Sequence, residues 1–106
     1  MKMPSTLSAE ILLLPDAVIR VGAAAGQLEL LEYVGEALRA GQPTDEAKAR
    51  IRCFAGPLAA AAIENLREAL RIVKDAGQAG AAAMIEEDMA SIEAAAAEIF
   101  EKIGKG

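Results

Sequence analysis

The sequence predicts an all-α protein, a small antiparallel helical bundle with three long helices, one or two short ones and a C-terminal helical hairpin. Of the 106 residues, 54% are hydrophobic but only 3% are aromatic. Alanine, the best helix former, occurs 25 times. Apolar residues recur at alternating spacings of three and four in three stretches, which is typical of one helix face. Glycine and proline separate these stretches. The length suits one helical domain over 1–106.

The first long helix is predicted over 15–40. Residues 1–14 are predicted to be a short or irregular segment that ends before this helix, because Leu14 precedes Pro15 and a residue before proline disfavours helical backbone angles. Pro15 and Asp16 suit a first helical turn. Gly41 suits the position just past the end. The predicted core stripe is Ala17, Val21, Ala24, Leu28, Leu31, Gly35 and Leu38.

The middle of the chain predicts two helices separated by a glycine-proline pair. Thr44 is a good N-cap, and a short helix would run from there to about Phe54. Gly56-Pro57 should break or sharply kink it. A second long helix would start at Pro57 and end near Ala76. Its predicted core stripe is Ala59, Ile63, Leu66, Leu70 and Val73.

The last long helix is predicted from about Ala81 to Ile103, with 104–106 as a frayed tail. The connector 77–80 is short, so the last two long helices should form an antiparallel hairpin. The predicted core stripe of the last helix is Ala82, Ile85, Met89, Ile92, Ala96, Ile99 and Ile103.

The residue inventory excludes several kinds of chemistry. There is no histidine, which excludes Ser-His and Cys-His nucleophile pairs and histidine-ligated zinc or haem. Cys53 is the only cysteine, so no internal disulfide can form, and we interpret it as a small core residue in a reduced, cytoplasmic protein. No glycine-rich nucleotide motif is present, and no cofactor is predicted.

No membrane association is predicted. The longest uncharged run covers 53–63, which is 11 residues, whereas a spanning helix needs about 20 apolar residues. The apolar residues 11–14 lie between Glu10 and the pair Pro15-Asp16, so we expect no secretory signal.

Carboxylates are the only plausible catalytic groups. Glu29, Glu32 and Glu36 project from one helix face. The stretch from Glu29 to Glu32 has the ExxE form with which all-α nucleotide pyrophosphohydrolases hold magnesium, but the second acidic pair of those enzymes is missing. Glu64 and Glu68 could replace it, although Arg67 and Arg71 make them resemble ordinary surface pairs. A metal-dependent carboxylate enzyme is therefore the alternative function, and a solvated helix face is the simpler interpretation.

Two glycine pairs match known motifs. Gly22 and Gly26 form a GxxxG pair, which lets two helices approach closely, and we interpret it as a packed contact inside the bundle. Gly77 and Gly80 match the GxxG loop of one RNA-binding module, but that module needs strands that this chain lacks. We interpret this second pair as a turn between helices.

Charge is distributed unevenly along the chain. Residues 39–74 carry seven bases and four acids, whereas residues 75–101 carry seven acids and no base. One hypothesis places the basic residues Lys48, Arg50, Arg52, Arg67 and Arg71 against the acidic last helix, within one chain or between two. Nucleic-acid binding is a further alternative, which the net charge of -5 and the lack of interleaved aromatic residues disfavour.

The favoured function is a non-enzymatic interaction or assembly protein that binds a protein partner or its own copy through an apolar helix face. Sustained helix stripes on an alanine-rich chain favour a homo-oligomer, first of all a dimer. The scattered Tyr33, Phe54, Met84, Met89 and Phe100 are interpreted as core rather than as an apolar ligand cleft. The predicted interface residues are Leu28, Leu31, Leu66, Leu70, Ile85, Ile92 and Ile99.

Overall fold

The computed structural model describes residues 11–41 and 43–103, and this part of the chain is an all-α bundle, as predicted. A short 3-10 helix, Ile11–Leu13, precedes α1 (Pro15–Ala40), α2 (Asp45–Asp75) and α3 (Ala79–Ile103). Each α-helix packs against the other two. The bundle is elongated, with Cα extents of 47 × 21 × 18 Å. The predictions for 1–10, Gln42 and 104–106 lie outside the described residues.

Helix α1 has the predicted bounds, and a local signal fixes its N-terminal end. Leu14 leaves the helical region with φ -122° and ψ 80°, as expected of a residue before proline. Its backbone N–H donates to the Ile11 carbonyl at 2.8 Å, and its own carbonyl accepts from Val18. Ile11 is fully buried at this end of the core. Every member of the predicted core stripe is buried except Leu28, which is half-buried.

Helix α2 begins as predicted but does not break at Gly56-Pro57. The Thr44 hydroxyl oxygen accepts a hydrogen bond from the Ala47 N–H at 3.1 Å. The helix then runs unbroken to Asp75, so the predicted short helix and second long helix are one element of 31 residues. Pro57 lacks the N–H that would bond the preceding turn, a cost of about 3 kcal/mol. Burial on both sides of it, at Ala55 and Ala62, offsets part of that cost.

The buried face of α2 consists largely of alanine. Ala55, Ala62 and Ala69 recur every seven residues and are fully buried, together with Leu66 and Val73. The predicted core residues Ile63 and Leu70 are only half-buried at the edges of this face. Small side chains let neighbouring helices approach towards the short end of the usual 8–10 Å interaxial range. Leu66 and Val73 add larger side chains to this face, while Ile63 and Leu70 lie at its edges.

The turn after α2 makes the predicted hairpin. Gly77 has φ +76°, a left-handed conformation that favours glycine. Its N–H donates to the Lys74 carbonyl, and the Gln78 N–H donates to the Val73 carbonyl at 2.9 Å. These two bonds satisfy carbonyls at the helix end. Helix α3 starts at Ala79, two residues before the predicted position, so Gly80 lies in its first turn.

Candidate functional site

The surface of α1 that points away from the core is also apolar. We call it the outer face, and its members alternate at spacings of four and three. Its large residues are well exposed, Ile19 at 68%, Tyr33 at 62% and Leu30 at 47%. A helix that is apolar on two opposite sides needs a second neighbour to bury the second side. The outer face consists of Ile19, Ala23, Gly26, Leu30, Tyr33 and Ala37.

The GxxxG pair belongs to this exposed surface, and its interpretation as a contact inside the bundle is wrong. Gly22 and Gly26 are both exposed, and a Cβ built on either one has no neighbouring atom within 4 Å. A glycine in an exposed helix interior costs about 1 kcal/mol relative to alanine. No close approach within the chain accounts for that cost at these two positions.

The sequence-predicted interface lies mostly inside the chain. Five of its residues are at most 1% exposed and form the core between the three helices. The other two, Leu28 and Leu70, are half-buried against that core. A core residue cannot contact another protein while the bundle is folded, so these residues are corrected from interface to interior. The five core residues are Leu31, Leu66, Ile85, Ile92 and Ile99.

The remaining side chains singled out from the sequence divide into two groups. Met89 and Phe100 are half-buried and pack against the core, as interpreted. Phe54 and Met84 are exposed instead, as is Tyr33. Cys53 is exposed as well, so its interpretation as a core residue is wrong. Cys53 and Phe54 both lie on the exposed side of α2, in the stretch before Pro57.

An open groove adjoins the N-terminal half of the outer face. It lies between α1 and α2 and has a volume of about 490 Å³. Ile19 and Ala23 line it from α1, and Ile72 supplies an apolar wall from α2. Asp16, Arg20, Asn65, Glu68 and Arg71 supply its polar lining. The groove is therefore mixed in character, with polar and charged side chains making up most of its lining and apolar residues the rest.

Polar side chains along the groove are linked to one another. Arg20 donates from Nη1 to the Asn65 amide oxygen at 3.1 Å, and the Asn65 amide nitrogen donates to Gln27 at 3.2 Å. Arg71 donates from Nε to Glu68 at 3.1 Å. That hydrogen bond lowers the pKa of Glu68 from its ordinary value of 4.5 and raises the pKa of Arg71. The lining thus carries paired charges of both signs.

The acidic residues proposed as metal ligands lie beside the outer face. Glu29, Glu32 and Glu36 are exposed on α1. Among residues 11–41 and 43–103, no three or more histidine, cysteine, aspartate or glutamate side chains are grouped so that they could hold a metal ion. Glu64 pairs with Arg67 at 2.8 Å and Glu68 pairs with Arg71, both within α2. This confirms their interpretation as surface helix pairs.

The hypothesis that Arg67 and Arg71 pair with the acidic last helix within one chain is wrong. Both pair with acids of their own helix. Arg52 does contact α3, but it donates to the Ile103 carbonyl at 2.7 Å, at the helix end where the dipole favours a cation. The ion pair with Glu98 of α3 comes from Arg39 of α1.

No helix in the described part of the chain is long and apolar enough to cross a membrane. Comparison with protein-family models, curated proteins and solved structures found no match to this chain.

The outer face is the feature that the sequence reasoning missed. A signal for it was present, because Ile19, Leu30 and Tyr33 fit the same alternation of four and three as the core stripe. The two stripes differ in phase around the helix and not in period. The core stripe contains more valine and leucine than the outer face, so it was the one recognised from the sequence.

Proposed function

We propose that this chain is a non-enzymatic helical assembly protein that binds through the outer face of α1 and forms a homo-oligomer, first of all a dimer. The exposed apolar surface opposite the core supports this best. Burying an apolar side chain of this size contributes about 1.5–3 kcal/mol. Ile19, Leu30 and Tyr33 leave much of that free energy unused in the isolated chain.

Sedimentation velocity over a wide range of protein concentration tests the proposal. We expect the unmodified chain to shift from monomer to dimer as concentration rises. Leu30→Glu should stay monomeric, because it places a charge at the centre of the outer face. Met84→Glu is the matched control, since it adds the same charge at an exposed apolar position on α3. The proposal is contradicted if the unmodified chain stays monomeric at every concentration, or if Leu30→Glu and Met84→Glu weaken dimerisation equally.

An assay for the enzymatic alternative completes the test. Hydrolysis of nucleoside triphosphates that depends on Mg²⁺ and is lost in Glu32→Gln would overturn the non-enzymatic assignment. We expect no such activity, with Glu32 serving as part of a solvated flank.

We also propose that the protein works in the cytoplasm. Cys53 is an exposed thiol. In an oxidising compartment, such a thiol would couple to another thiol, whereas the cytoplasm keeps it reduced. Labelling of intact cells with a membrane-permeant maleimide checks this, and a Cys53 already oxidised in the cell contradicts it.

A further inference from the structure

We propose that two copies pack their α1 helices antiparallel about Gly26, so that each copy's Tyr33 fills the groove beside Ile19 of the other. This inference rests on the proposed function and specifies the partner and its register. It follows from the order of residues along the outer face and from the position of the groove.

The outer face is complementary to itself when reversed. Ile19 and Tyr33 each lie seven residues from Gly26, so an antiparallel copy brings them to the same level. Leu30 lies four residues after Gly26 and falls on the partner's Gly22 and the partner's Ala23. Large side chains thereby meet small ones on both sides of the centre. The open space around Gly22 and Gly26 permits the backbones to approach.

The groove provides a seat for the partner's Tyr33. Ile19 and Ala23 belong both to the outer face and to the groove lining, so a ring stacked on Ile19 enters the 490 Å³ space. A buried tyrosine hydroxyl requires a hydrogen-bond partner. Asp16, Arg20 and Asn65 line the groove and offer such groups. Each site is therefore incomplete in one copy and completed by the other.

Charge favours the antiparallel direction. Glu29, Glu32 and Glu36 lie together beyond Gly26 on one flank of the outer face. A parallel pair would bring both acidic groups to the same level. In the antiparallel pair their centres lie 12 residues apart, about 18 Å along the axis. That separation exceeds the screening length of about 8 Å at physiological salt.

The exposed area indicates a reversible dimer. Ile19, Leu30 and Tyr33 together expose roughly 350 Å² per copy, taking about 200 Å² for a fully exposed large residue. Two copies bury roughly 700 Å² from these residues, before the smaller residues are added. Stable interfaces bury about 1,200–2,000 Å², so these three residues alone fall below that range, as expected of a weak, reversible contact.

Disulfide trapping tests the register in a Cys53→Ser background. Protein carrying Ile19→Cys is mixed with protein carrying Tyr33→Cys and oxidised gently. We expect a mixed disulfide dimer, and the second contact between Tyr33 and Ile19 stays native in that dimer. Neither variant should cross-link efficiently to itself. In the proposed register, identical cysteines lie 14 residues apart along the axis, about 21 Å, whereas a disulfide needs Cα atoms within about 7 Å.

The outcomes separate this inference from the proposed function. Cross-linking of each variant to itself without the mixed product shows a parallel dimer and overturns the register alone. A chain that stays monomeric in sedimentation overturns both.

Tyr33→Ala should weaken dimerisation roughly 100-fold, because in a symmetric dimer the substitution removes the Tyr33 ring from both copies at once. Tyr33→Phe should weaken it less, through loss of the hydroxyl, and an unchanged affinity in Tyr33→Ala overturns the seat for this ring.

Discussion

The core face and the outer face of α1 have the same residue spacing, but one is buried and the other is exposed to solvent. On the core face, Leu31 is fully buried in the core, while its neighbour Leu30 on the outer face is 47% exposed. Each face is apolar along most of the helix. The difference shows that periodicity identifies a surface that needs covering but does not identify what covers it.

The largest expected effect contrasts these two leucines. Leu31→Ala should lower the free energy of unfolding by about 2–5 kcal/mol, because it leaves a cavity in the core. Leu30→Ala should change it by less than about 0.5 kcal/mol in dilute, monomeric protein. Urea denaturation measures both. Equal losses in dilute protein would mean that the two faces are not different environments.

The exposed glycine pair of α1, Gly22 and Gly26, should give effects of opposite sign on folding and on dimerisation. Gly22→Ala and Gly26→Ala should each stabilise the monomer by about 1 kcal/mol, because both gain helix propensity in open space. The same changes should weaken the dimer by separating the backbones. Gly77→Ala is the control, because its φ of +76° makes alanine destabilising. Thermal unfolding and sedimentation of the same samples give both quantities, and stronger dimerisation in the alanine variants would contradict the close approach.

A smaller effect on the free energy of unfolding is expected at the ion pair between Arg39 and Glu98. The ion pair between Arg39 and Glu98 connects α1 to α3 and is partly exposed. Arg39→Ala should cost at most about 1 kcal/mol, and added salt should reduce that cost. A double-mutant cycle with Glu98→Ala isolates the pair. A coupling energy that salt does not change would indicate packing rather than charge.

The smallest effect concerns pH at the groove. The hydrogen bond from Arg71 lowers the pKa of Glu68 below 4.5, so the unfolded chain binds this proton more readily. Its stabilising contribution is therefore complete above pH 4.5 and is lost as pH falls through the lowered pKa. Carboxyl NMR titration measures this pKa. In Arg71→Ala it should move back towards 4.5, and an unchanged value would assign the shift to another group.

Much of the fold could be predicted from local signals. Pro15 fixed the start of α1, Thr44 fixed the start of α2, and Gly77 fixed the turn. The end of α1 was also predicted correctly, although Gly41 is extended with φ -152° and not left-handed. The break predicted at Gly56-Pro57 is absent, because burial of the residues around the proline is a tertiary effect that local helix propensity does not include. The same limit applies to Cys53, whose exposure depends on where an unbroken α2 turns its faces.

The candidate site was harder to predict. Leu31 and Ile92 are large aliphatic residues of the kind found in protein interfaces, but in this bundle they are buried in the core. Which stripe of α1 faces its own chain depends on where α2 and α3 pack. The glycine pair was recognised as a close-approach motif, but its side of the helix could be assigned only once those neighbours were in place.

The elongated form of the bundle makes the mode of assembly visible at low resolution. Gly26 lies near the middle of α1, so a pair centred there overlaps along nearly the whole 47 Å length and grows only in width. A pair joined end to end would instead double the longest dimension. X-ray scattering in solution therefore distinguishes a thicker rod from a longer one, and a lateral dimer leaves both ends of each rod open to further contacts.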